Sequence, residues 1–295
     1  MKNKKWIAML CTAALAVTML AGCGGGSNDS ASSGSAAAEG SASGESSSVV
    51  VVGTNPTFAP FEYQDDEGNM EGFDLDLMEA IGENQGFDVE FQSMEFDALI
   101  GALTTGQIDA VAAGMSINAD RNNVLFSDPY MDASLGIMVA ADNTDINSAD
   151  DLAGKTVAAQ IGTTGADKVN ELEEAGTATA KLLDNYNTCV QDLLTGGCDA
   201  IIIDMPVAQA YMEQHEGEVK LTGEPYAADY YGIAVDEDNQ ELLDKINAGL
   251  AAVIEDGTLD ELCEKYELDV PASVKDGSAK DAVAEILSAG AEDAE

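Results

Sequence analysis

Positive charge is scarce in this chain: 12 Lys and Arg stand against 55 Asp and Glu in 295 residues, and Arg121 is the only arginine. A formal charge of −43 repels nucleic acid and anionic lipid, which excludes nucleic-acid binding and gives no help to a polyanionic ligand. Histidine is equally rare. His215 has no second imidazole and no neighbouring cysteine, which argues against both a metal site and a Ser-His catalytic pair. Cys11 and Cys23 lie near the N-terminus, leaving Cys189, Cys198 and Cys263, an odd number without C-x-x-C spacing, so no zinc or redox motif is formed. Cys189 and Cys198 either bridge within one helix-strand unit or stay buried as small hydrophobic thiols. Neither a metal nor a cofactor is expected.

What is present begins with Lys2, Lys4 and Lys5, an apolar stretch from Trp6 to Leu20, and Leu20-Ala21-Gly22-Cys23. The stretch is too short and wrongly flanked for a membrane span and reads as a secretory signal over residues 1–22. The small residues before Cys23 resemble the lipobox of bacterial lipoproteins, which implies that Cys23 carries lipid and anchors the protein to the outside of the cell membrane. From Gly24 to Ser48, 21 of 25 residues are Gly, Ser or Ala. Such a tether reaches roughly 25–30 Å. Removal of the first 22 residues, with three lysines and no acid, deepens the charge to −46.

Val49 to Val52 is a β-branched run ending at Gly53, as a buried parallel strand does. Phe73, Leu77 and Ile81 mark one helical face closed by Gly86. Phe87–Phe91, the helix face Phe96, Leu99, Ile100 and Leu103, and the strand Ile108–Ala112 continue a β-α-β-α-β order, the mark of a parallel sheet covered by helices. The pattern restarts after Asn143–Asp151, with strands at Lys155–Ala159, Lys181–Leu183 and Asp199–Ile203 and helices at Ala166–Glu174, Asn187–Leu194 and Pro206–Gln214. Helices near Glu241–Glu255 and Leu259–Tyr266 pack back on the first unit. The expected fold class is therefore α/β with two lobes: 49–138 plus 232–271 form lobe 1, and 142–228 form lobe 2. Crossover strands are expected near Ile137–Ala141 and Tyr230–Val235, with the ligand site in the cleft between the lobes. Residues 272–295 read as an acidic tail with a frayed helix near Ala282–Leu287.

Six segments now coincide with one family: Gly53-Thr54-Asn55-Pro56-Thr57-Phe58-Ala59-Pro60-Phe61-Glu62, Gly72-Phe73-Asp74-Leu75-Asp76, Phe96-Asp97-Ala98-Leu99-Ile100, Gly114 to Arg121 with Phe126-Ser127-Asp128-Pro129-Tyr130, Gln160 to Thr164, and Asp199 to Pro206. Over Val49 to Leu268 the chain resembles the family 3 polar amino-acid-binding proteins of bacterial ABC importers, which implies the two-lobe periplasmic-binding-protein-like (type II) fold.

The resemblance implies a site residue by residue. Arg121 clasps the α-carboxylate, a task that suits a planar guanidinium fork. Thr163 and Thr164 aid from the N-terminus of a helix on the opposite lobe. Ser116, the Gly114 carbonyl and Asp204 receive the α-ammonium, Asp204 lying at the strand end where open α/β sheets bind ligands. Its alternative is a helix N-cap. Phe58 and Phe96 flank the ligand side chain, whereas Phe61 and Phe73 are packing residues. Asn55 stands where members that bind basic amino acids commonly have Asp, so a neutral polar amino acid such as glutamine is favoured. An anionic one would need Lys155 or Lys168. The expected protein is a monomeric, non-enzymatic receptor that hands a free amino acid to an ABC permease. The alternatives are a cyclohexadienyl-dehydratase-like enzyme and a sensory module on the same fold.

Overall fold

The computed structural model describes residues 48–293; the signal segment, Cys23 and residues 24–47 of the tether lie outside the described residues. In chain order, β1 (Ser48–Thr54), β2 (Thr57–Phe58), β3 (Glu62–Gln64), β4 (Met70–Glu71), α1 (Phe73–Gln85), β5 (Phe87–Ser93), α2 (Leu99–Thr104), β6 (Ala110–Val111) and β7 (Val124–Phe126) come first. Then follow β8 (Met131–Ala140), β9 (Thr156–Gln160), α3 (Thr164–Glu174), β10 (Thr179–Leu183), α4 (Tyr186–Leu194), β11 (Ala200–Asp204), α5 (Met205–Gln214), β12 (Val219–Thr222) and β13 (Ala228–Tyr231). The chain ends with β14 (Ala234–Asp236), α6 (Gln240–Glu255), α7 (Thr258–Lys265), α8 (Ala272–Asp276) and α9 (Ser278–Asp293).

Two large sheets result, one in each lobe. The first runs β5-β1-β6-β14-β7, with β1 parallel to both neighbours and β14 antiparallel to both of its own. The second runs β10-β9-β11-β8-β12, parallel over its first three strands and antiparallel around β8, to which β13 also pairs. The periodicities name most of these elements to within two residues. Apolar surface is buried on both faces of each sheet, as continuous Val/Ile runs require. Between the lobes an aromatic chain joins the cores: Tyr186 to Phe58 at 5.8 Å, Phe58 to Phe61 at 6.1 Å, and Phe61 to Phe73 and Tyr231 at 5.9 and 5.1 Å.

Three sequence expectations need correction. The strand expected to cross near Ile137–Ala141 does not leave the second sheet, because β8 pairs along its length with β11, β12 and β13 and has no free stretch for the first. The crossing is made earlier, by residues 127–130, so lobe 1 ends near Phe126 and not at 138. Tyr230–Val235 is two strands in different sheets, β13 and β14, broken at Gly232-Ile233. Gly232 allows that passage by close approach: a Cβ there would lie 2.8 Å from Ile117 Cγ1. The two crossings are stapled together, since Ser127 N donates to Ile233 O at 2.8 Å and Ile233 N to Ser127 Oγ at 2.9 Å. Finally, the acidic tail is not a frayed end. Val274 and Ala279 are buried in the main core and Val283 is buried as well, which docks α8 and α9.

Gly72, directly before α1, has φ 144°, and a Cβ there would sit 2.1 Å from Phe61 O and 2.8 Å from Glu62 Cα. Backbone cannot give way as a side chain does. Gly72→Ala is expected to destabilise by more than the ~1–2 kcal/mol of left-handed strain alone, whereas Gly86→Ala, with φ 76° and open space around it, loses only that strain. Urea denaturation of the two variants compares them directly.

Candidate functional site

A narrow cavity of about 10 Å³ between the two sheets is lined by Phe58, Phe96, Gly114, Ser116, Arg121, Gln160, Thr163, Thr164 and Asp204. Eight of the nine residues assigned from sequence are therefore gathered in one place. The first lobe supplies Phe58 from β2, Phe96 just before α2, and Gly114, Ser116 and Arg121 from the segment between β6 and β7. The second supplies Thr163 and Thr164 at the start of α3 and Asp204 at the end of β11.

Local chemistry fixes each wall. Gly114 has φ 52°, and a Cβ would come within 2.4 Å of Phe58 Cε1, so the glycine lets ring and backbone meet. Its N–H donates to Asp74 Oδ2 at 2.7 Å, which also accepts from Tyr130 Oη at 2.7 Å. Thr163 is the N-cap of α3: its Oγ1 accepts from Ala166 N at 3.1 Å and donates to Gln160 O at 2.7 Å. Asp204 occupies the N-cap position of α5 but makes no side-chain cap bond, and its Oδ1 has no partner. The capping alternative is thus not what holds this carboxylate.

The lobes meet across the cavity through a few polar contacts. Arg121 Nη2 donates to Gly162 O at 2.9 Å, its guanidinium carbon lies 5.6 Å from the centre of the Phe96 ring, and Nη1 is buried without a partner. Ser116 Oγ lies 3.4 Å from Thr164 Oγ1, and Thr164 Oγ1 donates to Asp229 Oδ2 at 3.1 Å. Tyr211 Oη reaches Thr57 O at 3.4 Å.

Desolvation dominates the electrostatics. Burial pushes the Asp204 carboxyl up to about 7, helped by the charge of Asp229 and opposed by the Tyr231 phenol and Arg121. Burial likewise pulls Arg121 down, against the pull of Asp167, Asp229 and Asp204. Asp74 is raised to about 7 and Glu62 well above the carboxylate range, both chiefly by burial. Glu62 is fully buried with neither oxygen hydrogen-bonded, which fits a neutral acid. The cleft therefore holds a partly unpaired cation on one wall and a partly unpaired acid on the other.

Asn55 is not in the cavity wall. Its Nδ2 donates to Met94 O at 2.9 Å, and its Oδ1 accepts from Thr57 Oγ1 at 2.8 Å and from Gln160 Nε2 at 3.0 Å. Because a carbonyl only accepts, Met94 fixes which way the Asn55 amide faces, and Asn55 in turn fixes Gln160. Gln160, part of the Gln160–Thr164 segment but not singled out as a contact, is the amide that faces the cleft. Asp229, on β13, is a further residue that sequence reasoning misses; the only signal is its place directly before Tyr230-Tyr231. Lys168 is on α3, paired with Glu171 at 2.7 Å, and neither it nor Lys155 lines the cavity. Among the described residues no group of His, Cys, Asp and Glu could hold a metal ion, and Cys189, Cys198 and Cys263 are free and buried.

Residues 50–269 match the bacterial extracellular solute-binding proteins, family 3. A probable amino-acid-binding protein of Bacillus subtilis, YxeM, is 32% identical over 90% of this chain and 96% of its own length. A probable histidine-binding protein of Neisseria gonorrhoeae is 34% identical over the same shares. Among solved structures, an ancestral arginine-binding protein bound to arginine superposes with a TM-score of 0.71 at 42% identity, covering 74% of this chain and 97% of its own. With a matching family over most of its length, two lobes and a polar cleft between them, the chain belongs to the bacterial extracellular solute-binding proteins of family 3.

Proposed function

We propose that this protein captures a free amino acid between its lobes and delivers it to an ABC permease, held at the membrane through a lipid on Cys23. The observation that carries the proposal is a pair of incompletely partnered charges, half-buried Arg121 and buried Asp204, on opposite walls of one cavity. A zwitterion completes both: its carboxylate takes the free face of the guanidinium, with the start of α3 beside it, and its ammonium takes Asp204. Ser116 and the Gly114 carbonyl are further partners for the ammonium. The relatives named as amino-acid-binding and histidine-binding support the class of ligand.

Phe58 and Phe96 enclose the ligand side chain, and Gln160 meets its end. With Nε2 committed to Asn55, the Gln160 oxygen is left for a donor. That favours a side-chain amide or a guanidinium, and Asp204 is the only carboxylate among the lining residues. With Asp204 occupied by the ammonium, a neutral amide such as that of glutamine fits better than a cation. An anionic side chain finds no second cation. The enzymatic alternative asks for an acid poised beside a leaving group; Asp204 is accounted for by the ammonium, and Glu62 is not part of the cavity wall.

A thermal-shift screen of residues 46–295, one compact unit, against the common amino acids tests the function: a ligand at 100 times its Kd adds about 2.7 kcal/mol, and no shift with any of them would sink the proposal. Arg121→Lys is expected to weaken binding by about 2–5 kcal/mol while leaving the fold intact. Calorimetric titration with glutamine and arginine reads this, and Gln160→Leu should erase the preference between these and leucine.

Asp204 links binding to stability. Its folded pKa of about 7 lies above the ordinary 3.8, so the native state holds the proton more tightly and stability falls as pH rises between those values. The upper bound on this loss is roughly 4 kcal/mol. Asp204→Asn should therefore be more stable than the parent at pH 8, with the advantage gone near pH 4, yet bind glutamine poorly. Denaturation curves showing the same difference at both pH values would contradict this.

The anchor has its own test. Cys23→Ser should release the protein from membranes or leave an unprocessed precursor; fractionation and lipid labelling indifferent to the change would rule the anchor out.

A further inference from the structure

The family match ends at Asp269, yet two more helices follow. Their contacts fall on a particular place. Lys275 Nζ bonds both oxygens of Asp260 on α7, at 2.7 and 2.6 Å, which ties α8 to lobe 1, and Val274 and Ala279 join the main core. From that seat Lys280 Nζ reaches Asp128 at 2.5 Å and the Ser273 hydroxyl bonds Asp132. Asp128 belongs to the first crossing, residues 127–130, and Asp132 to the opening of β8 in lobe 2. The backbone N–H of Asp128 is held as well, by Asn247 Oδ1 of α6 at 2.8 Å.

The crossings are where any rotation of the lobes must be absorbed, because among the described residues the chain passes between the two large sheets at residues 127–130 and 232–233. Beside them Leu268–Pro271, the lead into α8, forms one wall of a groove of about 290 Å³ whose other walls are Met131–Ser134 of β8 and Met205, Pro206 and Gln209 of α5. The rear of the molecule thus has room to deform next to the strands that α8 and α9 hold.

We propose that α8 and α9 are a strap across the hinge, whose contacts with Asp128 and Asp132 favour the closed arrangement of the lobes and so raise the affinity of the cleft. The physical basis is population shift: apparent affinity scales with the fraction of molecules in the binding-competent arrangement, and a contact made in only one arrangement shifts that fraction. The affinity part rests on the amino-acid-binding reading of the cleft; the hinge part does not.

The test uses the full chain with donor and acceptor dyes on Asn84→Cys in α1 and Glu174→Cys in α3, the native cysteines of the folded part being buried. Three variants are compared: Ala279→Glu, which puts a charge into a buried docking position; Lys280→Glu, which repels Asp128; and the swap Asp128→Lys with Lys280→Asp. The two single variants should lengthen the inter-dye distance without ligand and weaken glutamine or arginine binding by about two- to five-fold, the scale of exposed ion pairs. The swap should restore both. Unchanged distances in both single variants, or a swap no better than Lys280→Glu, would overturn the strap. If the parent binds neither amino acid, the reading of the cleft fails, while the ligand-free distances still decide the strap.

Discussion

A guanidinium and a carboxylate withdrawn from water on facing walls of one cleft are the constraint on which this structure depends. A buried ion costs several kcal/mol unless it is paired. Arg121 keeps one nitrogen on Gly162 O and leaves another without a partner; Asp204 answers burial by a rise to about 7. Neither neutralises the other directly, although each feels the other's charge. The fold holds them apart at the distance set by two sheets and keeps them dry with Phe58 and Phe96. Such a site is unfavourable in itself, and on the proposed reading it becomes favourable when a molecule bearing both charges enters, which would tie binding energy to closure.

Most of the architecture is legible in the sequence because hydrophobic periodicity is local. The β-branched run Val49–Val52, the face Phe73, Leu77, Ile81 and the Gly86 stop each specify an element without reference to the rest of the chain. The crossovers are not legible to the residue, because an apolar strand such as Met131–Ala140 reads the same whichever sheet it joins; its partners β11, β12 and β13 decide. The same holds for Tyr230–Val235, where Gly232 marks the break but looks in sequence like any turn glycine. The C-terminal helices escape sequence reasoning on different grounds. Their composition is acidic and Ala-rich, and only the contact positions Val274, Ala279 and Val283 reveal a buried face.

The site shows where residue identity suffices and where it does not. Arg121 stands out because a lone guanidinium in an acidic chain points to a carboxylate that it must hold, and Asp204 because a strand end before a helix opens on the crevice. Asn55 lies one step further from the cavity than its sequence position implies. Its amide is consumed by Thr57, Met94 and Gln160, so its influence passes through Gln160, whose orientation it sets. A linear sequence cannot distinguish an amide that faces a ligand from one that orients the amide that does, since both need the same residue type at a strand end.

The closed arrangement itself is held with restraint. Across the cleft the direct polar contacts are Arg121 to Gly162, Gln160 to Asn55, Ser116 to Thr164 and Tyr211 to Thr57, two near 3.0 Å and two at 3.4 Å. Each such bond contributes on the order of 1 kcal/mol net, and opening returns these groups to water, which takes up their hydrogen bonds. The stronger couplings lie at the hinge, where Ser127 and Ile233 exchange two bonds and Tyr130 N donates to Tyr231 O at 3.0 Å. A receptor whose lobes were locked by their own contacts would have no use for a ligand, and one with a loose hinge would lose the alignment of Arg121 and Asp204. On the proposed reading, weak contacts at the mouth with firm ones at the crossings leave the decision to a molecule that bridges Arg121 and Asp204.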